Sequence, residues 1–287
     1  MQQHCLEACD RLDSRQFLIA VKKLANDIGY GSDSSPFLGS GIEYVQSRRY
    51  EIGDPIKSID WRVTARTGQF HVKEYESPKR MPVYLLIDTS ASMTITSGRL
   101  SKYAQALQIA GGIAFAALER ISPVGVVGVG ERDLFIKPSL SKDRILQWLH
   151  RLRYYRMNEK TRLGDKLNKL LPSLSSRALI ITISDLHDSE AIPVLKLAAQ
   201  KHDCAALQLV DPAEKTLAGA GFVRIREAET GVSSIVRNTP AIRDQIALVE
   251  QLITASIDHL CLSTNENIVH KLRNFFKSRS LLGRNSR

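Results

Sequence analysis

The sequence predicts an α/β protein: a mostly parallel β-sheet flanked by helices, with a small β-rich region before it. Three observations carry that expectation. Continuous apolar runs, Val83 to Ile87 (VYLLI) and Ala178 to Ile183 (ALIITI), fit strands buried on both faces. Segments with helical spacing of apolar positions alternate with such runs. Both runs lead into an aspartate, Asp88 and Asp185. Composition agrees: 287 residues with 43% hydrophobic and 24% charged side chains can bury a core without disulfides. That excludes a disordered chain, a collagen and a disulfide scaffold.

Residues 16–28 (QFLIAVKKLANDI) have helical periodicity, and residues 29–41 are a Gly/Ser-rich loop. Within 42–80, IEYVQ and QFHVKEY alternate as strands, separated by the turn signal Gly53-Asp54-Pro55. After the VYLLI strand, residues 99–120 form a long helix, whose Gly111 and Gly112 permit close packing on the sheet. Val124 to Val129 and Leu134 to Ile136 are strands; 141–154 and 163–171 are helices. ALIITI is the strongest strand. A helix over 189–200, a strand from Cys204 to Val210 and a hairpin over 222–237 follow. A helix over 240–256, a strand over 258–263 and a helix over 266–277 complete the order. The division is therefore 1–80, a helix plus a small β-rich region; 81–278, the α/β domain; and 279–287, a basic tail.

No apolar run reaches the roughly 18–20 residues needed to span a bilayer. The N-terminal stretch lacks the basic and apolar regions of a secretory signal. The four cysteines, Cys5, Cys9, Cys204 and Cys261, contain no Cys-x-x-Cys pair, which suits reduced thiols and a cytoplasmic location. The net charge is +10. Basic residues group at Arg48 to Arg66, at Arg151 to Arg162 and from Lys277 onward, without an aromatic RNA-binding signature. This favours a solvated surface or a protein-binding face over nucleic-acid readout.

In an open parallel sheet, ligands bind beyond the carboxyl ends of the strands. Asp88 and Asp185 stand there, with Ser90 and Ser92 two and four residues after Asp88. Such an all-oxygen set suits a hard divalent cation, Mg²⁺ above all. Two carboxylates about 5 Å apart repel by roughly 3 kcal/mol at an effective dielectric of 20, and a shared dication reverses that sign. The bland alternative is a turn that only caps the next helix. His187 and Asp188 read as loop hydrogen-bonding groups, with metal ligation as the lesser alternative.

Asp88-Thr89-Ser90-Ala91-Ser92-Met93 resembles the metal-ion-dependent adhesion site (MIDAS) of von Willebrand factor A-like domains. The resemblance implies that Thr161 supplies the second-loop threonine and Asp185 the third-loop aspartate. Arg49-Tyr50-x-x-Gly53-Asp54-x-x-x-x-Ile59-Asp60-Trp61, followed by Ala65-Arg66, is similar to the signature of a bacterial von Willebrand-like family. That family is catalogued as domain of unknown function number fifty-eight. Gly41-Ile42-Glu43-Tyr44, Asp211-Pro212-x-Glu214 and Glu229-Thr230-Gly231 fit it too, so the match runs from about Gly41 to Phe276.

The resemblance implies a von Willebrand factor A-like sheet and a cytoplasmic, non-enzymatic interaction module. It also implies a MoxR-type AAA+ ATPase as partner. Mg²⁺, or another divalent ion such as Mn²⁺, would sit on Asp88, Ser90, Ser92, Thr161 and Asp185, with an acidic partner side chain completing its coordination. Arg49, Asp54, Asp60, Trp61 and Arg66 read in two ways: a docking surface for the ATPase, or an Arg–Asp network with Trp61 as a buried anchor. The structural reading is favoured.

Two other functions compete. A phosphoaspartate phosphatase would use Asp88 as nucleophile, but that chemistry wants a second acid at position 90, which is Ser. A basic nucleic-acid-binding module rests on charge alone. The nucleophile-elbow, P-loop and dinucleotide-binding motifs are absent.

Overall fold

A computed structural model describes residues 4–5, 14–29, 43–76, 81–98, 100–155, 159–213, 222–226, 233–237 and 242–281. Cys9, the loop over 30–41, Gly41-Ile42, Arg156, Glu214, the Glu229-Thr230-Gly231 turn and residues 282–287 lie outside them.

The chain opens with β1 (His4–Cys5) and α1 (Ser14–Gly29). The β-rich region is β2 (Glu43–Arg49), the short helix α2 (Trp61–Thr67) and β3 (His71–Glu76), with β2 and β3 antiparallel. Then come β4 (Val83–Ile87), α3 (Lys102–Glu119), β5 (Val124–Gly128), β6 (Leu134–Ser139), α4 (Lys142–Leu152) and β7 (Tyr154–Tyr155). The second half holds α5 (Leu163–Leu170), β8 (Leu179–Ser184), α6 (Ala191–Ala199) and β9 (Asp203–Val210). The hairpin strands β10 (Phe222–Arg226) and β11 (Ser233–Arg237) pair antiparallel. Then α7 (Ile242–Thr254), β12 (Asp258–Ser263) and α8 (Ile268–Leu281) complete the order.

The central sheet has six strands in the order β12-β9-β8-β4-β5-β6. All neighbours are parallel except β5 and β6. Strand alternation splits the apolar runs between two cores. Val83, Leu85 and Ile87 join Leu179, Ile181 and Ile183 beneath α1, α3, α4 and α8. Tyr84, Leu86 and Ile180 face α5, α6 and α7 on the other side. Burying each such side chain stabilises the fold by about 1.5–3 kcal/mol. This is the predicted α/β architecture of a mostly parallel sheet between two helical layers.

Two details differ from expectation. Gly111 and Gly112 make room for a helix rather than the sheet. A Cβ at Gly111 would stand 2.8 Å from Val21 Cγ1, and one at Gly112 would stand 2.7 Å from Leu24 Cγ, both on α1. The N-terminal helix thus belongs to the main core. The final helix also runs past 278. Arg279 donates to Asp203 Oδ1 at 2.5 Å and pairs with Asp258 Oδ2 at 2.8 Å, clamping the starts of β9 and β12. Among the described residues no helix is long and apolar enough to cross a membrane.

Candidate functional site

After β4 the chain crosses to β5 on one side; after β6 it returns to β8 on the other. The carboxyl ends of β4 and β8 therefore form the topological switch point, where α/β sheets open a crevice. Asp88 follows β4 and is tied to β8 through its N–H, which donates to Ile183 O at 3.0 Å. Asp185 follows β8 directly.

Asp88 is fully buried and well held. Its Oδ1 accepts from Ser90 N at 3.0 Å and its Oδ2 from Ser184 Oγ at 2.6 Å. Burial, reinforced by the charge of Asp185, pushes its carboxyl up to about 7; the Ser184 and Ser90 hydrogen bonds pull the other way. Ser90 Oγ and Ser92 Oγ lie 3.0 Å apart. A single 3-10 turn over Ala91–Thr94 follows Ser90.

Asp185 is arranged differently. Its Oδ2 faces two nitrogens, Lys102 Nζ at 3.0 Å and His187 Nδ1 at 3.1 Å. Its Oδ1 is buried and accepts no hydrogen bond among the described residues. Burial alone would raise this carboxyl. The His187 hydrogen bond and the Lys102 charge outweigh it and hold Asp185 well below the usual carboxylate range. Between Asp185 and His187, Leu186 adopts φ +59°, a left-handed conformation costing a branched residue of order 1–3 kcal/mol. That turn brings the His187 ring back onto Asp185. Asp188 has a local role: its oxygens accept from Gly164 N at 3.1 Å, at the start of α5, and from Glu190 N at 3.0 Å.

Thr161 sits on the loop before α5. Two residues earlier, Glu159 joins that loop to the Asp88 loop. Its carbonyl accepts from Ala91 N at 2.7 Å, and its Oε1 accepts from Thr89 Oγ1 at 2.9 Å. Arg132 completes the tie, donating through Nε to Glu159 Oε2 at 2.7 Å and through its backbone N–H to Oε1 at 3.0 Å. The structure thus joins Ser90 to Asp88 and Ser92, sets Asp185 near enough for its charge to act on Asp88, and places Thr161 on a loop bonded to theirs. Among the described residues no three His, Cys, Asp or Glu side chains gather as a metal cluster, so any cation here would rely on hydroxyls beside two carboxylates.

The model of a family described as "Protein of unknown function DUF58" matches residues 46–252. The chain belongs to that family. Curated relatives include "Uncharacterized protein Rv1480" and "Uncharacterized protein MT1527" of Mycobacterium tuberculosis and "Uncharacterized protein Mb1516" of Mycobacterium bovis. Each is 25% identical over 238 residues, covering 81% of this chain and 75% of the relative.

The DUF58 match includes Arg49 to Arg66, whose residues separate into two groups. The acids work inside the β-rich region. Asp54 takes both Arg48 guanidinium nitrogens, at 2.7 and 2.8 Å, and accepts from Glu51 N at 2.9 Å. Asp60 accepts from Ser47 Oγ at 2.7 Å and caps α2 through Arg62 N and Val63 N. The expected Arg–Asp network therefore exists, with Arg48 rather than Arg49 as its arginine. Trp61 is not the buried anchor expected of it. It is 63% exposed, edge-on to Phe70, which is 57% exposed; Arg49 and Arg66 are exposed as well. Asp211 of the far signature pins the loop before α3, accepting from Ser97 N at 2.9 Å. Lys102, Glu159 and Arg132 had no signal in motif spacing. The available hint was a lysine opening a long apolar helix, where solvent exposure is the ordinary expectation.

Proposed function

We propose that this DUF58 member is a metal-dependent protein-interaction module, a cytoplasmic adaptor without catalytic activity of its own. Mg²⁺, or Mn²⁺ in its place, would be held by Asp88, Ser90, Ser92, Thr161 and Asp185 in a von Willebrand factor A-like adhesion site. An acidic side chain of the partner would complete the coordination. The observation that carries this reading is the donor set at the switch point. The Ser90 and Ser92 hydroxyls are hydrogen-bonded at 3.0 Å, and Asp185 Oδ1 is buried with no hydrogen bond among the described residues. When bound, the ion supplies a positive point that a partner carboxylate can reach.

The partner we favour is a MoxR-type AAA+ ATPase, following the family resemblance. The exposed Trp61 and Phe70, beside Arg49 and Arg66, offer a second contact face, and the positive charge favours an acidic partner. A nucleophilic role for Asp88 is the weaker reading. That chemistry wants a second acid at position 90, which is Ser.

The test is a pull-down from native lysate with Mg²⁺ or with chelator, alongside Asp88→Ala. Capture of an AAA+ protein only by the wild type and only with Mg²⁺ is the expected result. Capture that ignores both metal and mutation moves the docking face to Arg49–Arg66 and removes the metal from the mechanism.

A further inference from the structure

Lys102 is buried where a cation is doubly disfavoured. It is the first residue of α3, whose N-terminus carries positive dipole charge. Its side chain is only 1% exposed, so the ammonium has lost its bulk hydration. Its Nζ stands 3.0 Å from Asp185 Oδ2, an oxygen of the same carboxylate whose other oxygen has no hydrogen bond among the described residues. Ser101 caps the helix independently, its Oγ accepting from Ala104 N at 3.1 Å, so the lysine is not needed to start α3. The other acid, Asp88, accepts one hydrogen bond on each oxygen, from Ser90 N and from Ser184 Oγ.

We infer that Lys102 is the resident cation of this site and competes with any divalent ion for Asp185. The inference rests on the proposed cation site and adds the residue that sets its affinity. A dication on Asp185 would face a like charge across one carboxylate, in surroundings too dry to screen it. An ion at Oδ1 is therefore opposed by the ammonium on Oδ2. The site binds divalent ions weakly alone. It holds them tightly once an acidic partner adds negative charge.

The experiment is Mn²⁺ titration of the full chain, following the free-ion EPR signal, for wild type, Lys102→Met and Lys102→Gln. Removing the competing charge is expected to tighten the Kd for Mn²⁺ by at least about tenfold in both variants. Equal or weaker binding by the variants, with clear binding by the wild type, overturns the competition and leaves the cation site standing. No Mn²⁺ binding by any of the three removes the cation site and this inference with it. If both variants fail to fold in metal-free buffer, thermal unfolding with Mn²⁺ decides. Folding restored by Mn²⁺ is expected of an exchangeable cation, and folding not restored makes Lys102 a packing residue only and overturns the inference.

Discussion

Gly130 holds two loops in register by having no side chain. A Cβ there would meet Glu159 Oε1 and Thr89 Oγ1, each at 2.2 Å. Both atoms belong to the tie between the Asp88 loop and the Thr161 loop. Gly130→Ala should break buried hydrogen bonds to a charged group, at a cost of about 3 kcal/mol. Glu159→Gln keeps the shape and removes the charge facing Arg132, so about 1–2 kcal/mol is expected. Thermal unfolding by circular dichroism checks both, and unchanged melting in Gly130→Ala would show that the tie does not hold the loops. At this scale the sequence was half legible. Asp88, Ser90, Ser92 and Asp185 could be placed because apolar runs mark strand ends. Glu159 reaches Thr89 across 70 residues and Lys102 reaches Asp185 across 83, and no local spacing encodes such meetings.

Acids order the turns of the β2–α2–β3 region, whose α2 buries no residue. The Ser47 hydrogen bond, with the amides of Val63 and Arg62, holds Asp60 below its ordinary value against a smaller effect of burial. The Arg48 hydrogen bonds do the same for Asp54. Folded values below the unfolded value of about 3.9 contribute stability that is present above that pH and is lost as pH falls through the folded values. The amide resonances of Arg62 and Val63 should therefore titrate with midpoints below about 3.9 and keep their folded positions at pH 5. Midpoints at or above the ordinary value would show that the cap is not formed in solution. The sequence foresaw an Arg–Asp network but named Arg49 and Arg66, where the structure has Arg48. Arg48 and Arg49 adjoin on one strand, so their side chains point to opposite faces, and only the fold says which face holds Asp54. Trp61 was expected inside because large aromatics usually are; a seven-residue helix with no buried face leaves it outside. The glycine pair in α3 marked a close approach, but periodicity could not name α1 as the neighbour.

Across the whole molecule, helices far apart in sequence meet in one core. Val21 and Leu24 of α1 enter the same core as Leu272 and Phe276 of α8, so these two helices share one packed layer. Arg279 secures that layer to the sheet. Its guanidinium spans Asp203 and Asp258, which begin neighbouring strands, and lies 5.7 Å over the Phe275 ring. Arg279→Ala removes the shared cation and leaves two partly buried carboxylates facing each other. Discounted for their partial exposure, the expected cost is about 2 kcal/mol, or roughly 4–8 °C in Tm for a chain of this size. Arg279→Lys keeps the charge but not the planar fork that serves both acids at once, so it should recover less than half of that loss. If the arginine acted as a free basic tail, both variants would melt with the wild type. If it clamps β9 to β12, the loss should follow the order alanine, lysine, arginine and be insensitive to moderate salt, because a guanidinium only 7% exposed is poorly screened.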